Sequence, residues 1–278
     1  MTAGTQPHYN QPVRDDLQRE GLDVVLVSPR NPLNSGAAAR AMANFGFTRL
    51  AVVTPFAPSW REARSAVGAP EVLLHARESA SLAEAVDRCT LVLGTGTVTY
   101  RKPEQPVVLL PDLAPLVRRE LQRGGRVGLV FGSEKHGLSR EELALCHVLV
   151  EIPTDAHQPS MNLGQAVAVC LYELSSRVFS PVAASESTAL TQATENDPAS
   201  APSGILDILG EVVEQTMRAA KYSPASMEAA NRHDLRLLLR RLKLDAHDTR
   251  RILGLFRRIL WRLNRLDRSV GRAPSGHE

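Results

Sequence analysis

At 278 residues, 43% hydrophobic and 23% charged, the chain has the composition of a globular protein of one or two domains, which excludes a mostly disordered or collagen-like chain. No apolar run approaches the ~18 residues of a membrane-spanning helix, and Met1 to Glu20 lacks the apolar core of a signal peptide. The net charge of +3 conceals a division: residues 231–272 carry +9 and the remainder −6, so an acidic body bears a basic tail suited to an anionic partner.

Short apolar runs alternate with helical patterns over the first 180 residues. Asp23-Val-Val-Leu-Val27, Leu50-Ala-Val-Val53, Leu91-Val-Leu93, Val127-Gly-Leu-Val-Phe131 and Val148-Leu-Val-Glu-Ile152 read as strands. Their near-continuous apolar character predicts burial on both faces, as in a parallel sheet covered by helices. Helices are expected over 34–44, 81–88, 112–123 and 162–178, with a capping box at Ser139-x-x-Glu142. The fold class is therefore α/β. Residues 180–203, rich in Ser, Ala, Thr and Pro, read as a flexible linker, and 204–270 as a small all-α region of about three helices.

Three junctions concentrate chemistry. In Asn34-Ser-Gly-Ala-Ala-Ala-Arg40, Asn34 stands where a helix N-cap belongs, with Gly36 and Arg40 one turn apart. An ordinary capped helix with a solvated arginine is the plain alternative. Phe131-Gly-Ser-Glu-Lys-His-Gly-Leu138 ends a strand with glycines that admit a ligand to the sheet's carboxyl edge. There Glu134 either holds a polar partner or complements a helix dipole. In Ile152 to Ala166, two prolines, Ser160, Asn162 and Gln165 cluster before a long helix, more than capping alone requires.

Other chemistries fit poorly. Gly94-Thr-Gly-Thr-Val-Thr99 begins like a dinucleotide fingerprint, but Thr99 stands in place of the third glycine. The histidines lack metal-ligand spacing, and Cys89, Cys146 and Cys170 form no C-x-x-C pair, so no metal is expected. Three scattered cysteines suit small core residues in a reducing compartment, the cytoplasm. No G-x-S-x-G elbow supports a hydrolase triad.

Taken in order, the three motifs resemble the SPOUT superfamily of RNA methyltransferases, in its SpoU/TrmH branch of ribose 2′-O-methyltransferases. The resemblance rests on Asn34 to Arg40 with Phe45-Gly-Phe47, Phe131 to Glu134 with Gly137-Leu138, and Ile152-Pro153 with Ser160 to Ala166. Leu235 to Leu242 and Arg250 to Phe256 are similar, more loosely, to the helical extension of the TrmJ-like subgroup, whose members methylate the first nucleotide of the tRNA anticodon loop. The stretch Gly94 to Arg101 departs from that subgroup's Gly-Thr-Ser-Ala-Arg.

The resemblance implies a homodimer whose α/β domain, residues 21–179, carries a deep C-terminal trefoil knot. An N-terminal tail (1–20), a linker (180–203) and a helical domain (204–270) complete the chain. It implies S-adenosylmethionine bound by Thr95, Gly96, Gly132, Glu134, Ile152, Met161 and Leu163. It assigns catalysis to Arg40, with Asn34, Glu134, Ser160 and Asn162 around it. Arg236, Arg240, Lys243, Arg251 and Arg258, on basic helical faces, are expected to grip tRNA phosphates. Ribosomal RNA is the alternative substrate, and a non-catalytic RNA-binding module the alternative role. Trp261 and Phe256 are expected in a core or dimer contact rather than in base stacking.

Overall fold

The computed structural model describes residues 19–56, 60–63, 65–96, 103–179 and 200–270, the last four by backbone alone. Seven strands form one wholly parallel sheet: β1 (Leu22–Val27), β2 (Leu50–Val53), β3 (Arg77–Ser79), β4 (Leu91–Thr95), β5 (Val107–Leu109), β6 (Val127–Phe131) and β7 (Val148–Glu151). Their spatial order is β3-β2-β1-β6-β4-β7-β5, so β6 enters between β1 and β4, and β7 between β4 and β5.

Every residue of β1, β2, β4 and β6 is buried, as the continuous apolar runs require. Successive side chains serve opposite layers. Leu22, Val24 and Leu26 join the layer covered by α1 (Pro32–Asn44), α4 (Ala114–Gln122) and α6 (Leu163–Arg177). Val25 and Val27 join a smaller layer with α3 (Leu82–Ala85) and the region of α5 (Arg140–Leu143). The capping box at α5 forms fully, with Ser139 and Glu142 each accepting the other's backbone N–H.

The alanines of α1 and Gly164 of α6 have one purpose, the close approach of these two helices. A Cβ on Gly164 would stand 2.7 Å from that of Ala37. Two strands escape the sequence pattern because they lie at the sheet's edges. Arg77 and Glu78 of β3 are exposed and polar, and β5 is a three-residue strand aligned by β7. Helix α2 (Pro70–Leu74) was likewise not expected.

Beyond residue 199 the described chain forms α7 (Ser203–Ala219), α8 (Glu228–Arg241) and α9 (Ala246–Val270), with no strand. The expected linker lies outside the described residues over 180–199; its end is ordered, for Ser203 is already helical. The helices are seated on the sheet layer. The first amides of α7, at Ser203 and Gly204, donate to the carbonyls of Cys89 and Asp87 (2.8 and 2.9 Å). Arg240 is only 2% exposed, and it donates to Leu145 O and to Asp207, each at 2.9 Å. It therefore fastens the helices to the α/β layer and does not reach a phosphate, contrary to the sequence expectation. Trp261 is not a core residue: it is 45% exposed, beneath the guanidinium groups of Arg258 and Arg265. Phe256 is half-buried against the small core of Leu209, Leu239 and Leu253.

His147 extends the β4 ladder, its N–H donating to Val92 O and its Nδ1 accepting Val92 N–H (2.8 and 3.0 Å). Desolvation, with the charges of Arg240 and Lys243, pushes its pKa from 6.5 down to about 3. The unfolded chain then binds the extra proton first, so this contribution to stability is complete above pH 6.5 and declines as the pH falls toward about 3. In His147→Asn, which keeps an acceptor for Val92 but does not titrate, the fall of Tm between about pH 6.5 and about pH 4 should be shallower than in the parent. Gly164→Ala should cost about 1–3 kcal/mol in denaturant unfolding, as an overpacking change, and Ala37→Gly in the same chain should recover part of the loss.

Candidate active site

The three sequence motifs meet at the carboxyl edge of the sheet, where open α/β folds bind ligands. Asn31, not Asn34, caps α1: its side chain accepts the Leu33 N–H, and Pro32 occupies the first helical position. This corrects the sequence expectation, and it frees the Asn34 side chain for another task. Asn34 Nδ2 donates to Glu134 Oε1 at 2.9 Å. The backbone N–H groups of Arg30 and Asn31 donate to Glu134 Oε2 and Oε1, at 2.9 and 3.0 Å. The carboxylate thus sits at the positive end of α1, across the sheet edge from its own strand.

The relay continues through the third motif. Asn162 Nδ2 donates to Asn34 Oδ1 at 2.9 Å. Asn162 Oδ1 accepts from Gly164 and Gln165 and caps α6. One chain of hydrogen bonds therefore joins Asn34 to Glu134 and to Asn162, which lie 100 and 128 positions from it in sequence. Burial works against the Glu134 charge, but the hydrogen bonds from Asn34, Arg30 and Asn31 outweigh it and hold its pKa below the usual carboxylate value.

The neighbouring strand ends form a backbone-lined edge. Gly132 admits no side chain, since a Cβ would stand 2.1 Å from the Gly137 carbonyl carbon. Thr95 is buried and donates to Val130 O at 2.9 Å, while Gly96 is exposed with nothing within 4 Å of where a Cβ would stand. Ile152 and Met161 are half-buried, and Ser160 is exposed. Leu163 is committed to the core at 6% exposure. The rest of the stretch Gly94 to Arg101, beyond Gly96, lies outside the described residues.

Arg40 lies one turn beyond Gly36 on α1, exposed to solvent, whereas Gly36 is closed in by Ser65 and Ala66. Among the described residues the Arg40 side chain makes no hydrogen bond or ion pair, so the structure does not join it to the relay. Of the basic residues expected to face RNA, Lys243, Arg251 and Arg258 are exposed and Arg236 is half-buried. The sequence reading missed the roles of Arg30 and Asn31, which act through backbone N–H groups. The Asn31-Pro32 pair, a cap followed by a first-turn proline, is the signal that locates them.

Glu134, with its pKa depressed, stabilises the fold above the ordinary carboxylate range, and that contribution is lost as pH falls through its folded value. Asn34→Ala removes one donor, so the Glu134 carboxyl should titrate at higher pH than in the parent, read by carbon NMR of a labelled glutamate side chain. An unchanged titration would show that the Arg30 and Asn31 amides suffice.

The SpoU rRNA Methylase family profile matches residues 21–172, which include the whole relay. The chain is 41% identical over 154 residues to tRNA (cytidine/uridine/adenosine-2′-O-)-methyltransferase TrmJ of Pseudomonas aeruginosa, covering 55% of this chain and 60% of that protein. It is 38% identical over 155 residues to tRNA (cytidine-2′-O-)-methyltransferase TrmJ of Methanocaldococcus jannaschii, covering 55% of this chain and 66% of that one. The match thus spans less than two thirds of the length of either relative. Among solved structures, TrmJ from Z. mobilis ZM4 superposes with a TM-score of 0.72 at 28% identity, over 85% of this chain and 98% of that chain. The three motifs, the parallel sheet that brings them together and the profile spanning them agree: this chain belongs to the SpoU rRNA methylase family.

Proposed function

We propose that this protein transfers a methyl group from S-adenosylmethionine to a ribose 2′-hydroxyl of tRNA, at a cytidine or uridine that is the first nucleotide of the anticodon loop. The observation that carries the reading is the Glu134–Asn34–Asn162 relay, which unites the three motifs at one sheet edge. The names of the similar TrmJ proteins support the substrate and the hydroxyl.

The residues present fit the cofactor. Bare Gly96, the close-packed turn at Gly132 and half-buried Ile152 and Met161 offer backbone groups and an apolar flank, the surroundings that a nucleoside with a polar tail requires. When bound, S-adenosylmethionine supplies an electrophilic methyl group. The protein's part is to align the hydroxyl and to ease loss of its proton. Arg40 is exposed and uncommitted among the described residues, which suits a group that acts on an incoming strand. Its guanidinium stays protonated, so it serves by gripping the phosphate beside the target ribose and stabilising the developing alkoxide. Asn34 and Asn162 orient the edge against which the ribose lies, Glu134 braces it, and Ser160 lines the substrate side.

On this reading, residues 21–179 form the methyltransferase domain and 204–270 an all-α RNA-binding domain. Lys243, Arg251, Arg258 and half-buried Arg236 supply phosphate contacts. The late entry of β6 and β7 between earlier strands supports a C-terminal trefoil knot. The reading also takes the protein as a cytoplasmic homodimer. No described helix is long and apolar enough to cross a membrane. The intact relay favours an enzyme over a non-catalytic binding module.

Nucleoside mass spectrometry tests the proposal. Incubation with S-adenosylmethionine and unmodified tRNA transcripts should yield 2′-O-methylcytidine or 2′-O-methyluridine. Arg40→Ala should lower the rate by about 100-fold or more, the usual cost of removing a transition-state donor. Methylation of ribosomal RNA fragments alone would retain the chemistry and move the substrate; methylation of neither would overturn the proposal.

A further inference from the structure

Phe56 follows β2 at the carboxyl edge and is 70% exposed. Tyr172, Tyr222 and Trp261 are exposed as well, but Phe56 is the one set in the loop that follows β2. The loop that carries this ring is held at several points. The Phe56 N–H donates to Pro29 O at 3.2 Å, tying the loop after β2 to the loop after β1. The hydroxyls of Ser28 and Thr54 hydrogen-bond at 2.9 Å, and each residue is held at a left-handed φ, +47° and +41°. For β-branched threonine this conformation is rare, and backbone held so is a feature of ligand-facing loops.

The Arg30 guanidinium lies 4.9 Å from the Phe56 ring centroid. The backbone N–H of the same Arg30 binds Glu134 Oε2, so a single residue links the ring to the relay. One face of Phe56 is thus backed by a cation, while the exposure of the residue leaves ring surface open beside the site. A ring backed by a guanidinium is the surface on which an unpaired base stacks, and it accepts any base because every base has a π-face.

We infer that Phe56 and Arg30 form a stacking platform for one nucleobase of the RNA strand crossing the methyl-transfer site, an inference that rests on the function proposed above. The target ribose belongs to a loop, whose bases are free to unstack from their neighbours. Stacking one of them on Phe56 holds the strand while Arg40 engages the phosphate. The platform affects binding and register, and it takes no part in proton movement.

The test compares the parent, Phe56→Leu and Phe56→Trp as full chains. With an unmodified tRNA transcript and saturating S-adenosylmethionine, Phe56→Leu should raise KM for tRNA by about tenfold and leave kcat within about twofold. Phe56→Trp should restore KM to near the parent value. Its added indole emission should be quenched by tRNA beyond any quenching of Trp60 and Trp261 in the parent titrated in parallel, and not by S-adenosylmethionine alone. Unchanged KM in Phe56→Leu, or equal impairment in both variants without added quenching, would overturn the inference. So would a change in oligomeric state in Phe56→Leu, which would assign the ring to a contact between copies. If the parent methylates no RNA, the functional reading falls, and the emission titration with tRNA still decides the stacking.

Discussion

The Glu134 carboxylate at the start of helix α1 is the interaction on which the site's geometry depends. It accepts two backbone N–H groups and the Asn34 amide, so the loop after β1 and the turn after β6 have a common anchor. Asn34 then fixes Asn162, and Asn162 caps the helix that packs on α1. A charge at a helix N-terminus is favoured by the dipole, and each hydrogen bond to it is charge-assisted. Removing the carboxylate would leave two loop amides and an asparagine without their partner at once. The site and the packing of α1 on α6 are for this reason one structural unit.

Close approach of backbone makes this unit compact. Gly164 lets α6 reach the alanine face of α1, and Gly132 lets the turn after β6 fold onto Gly137 and Leu138. Gly94 performs the same service within the sheet, where a Cβ would stand 2.7 Å from Cys146 Sγ. Helix propensity and the small-residue pattern are thus used for proximity, and the buried thiols, with pKa values pushed up to about 12 by desolvation, serve as packing groups.

The basic helices are joined to the sheet layer by polar contacts with buried components. Arg240 bridges Leu145 O and Asp207, and the first amides of α7 find carbonyls at residues 87 and 89. A further contact, Glu104 with His233 and Arg140, ties the approach to β5 to α8. If the helices bind RNA as proposed, a strand held there is held in fixed relation to the sheet's carboxyl edge. Electrostatic attraction by the exposed arginines then serves a defined geometry as well as affinity.

The sequence alone determined the five buried strands, the long helices and the three chemical junctions, because each rests on local composition: continuous apolar runs, caps and glycine-bearing turns. Asn34, Glu134 and Asn162 stood out at the three junctions by residue type and position, and the resemblance assigned them to a site. Their mutual hydrogen bonds were not, since parallel strands bring together segments a hundred residues apart, and periodicity carries no information about strand order. Edge strands β3 and β5 escaped notice because their pairing comes from β2 and β7 and not from their own side chains. The same limit explains Arg240. Its helical spacing matched Arg236 and Lys243, and only the docking of α8 on the Leu145 carbonyl decided that this cation is buried. Tertiary structure alone also placed Phe56 beside Arg30, because the contact depends on two loops meeting at the ends of adjacent strands.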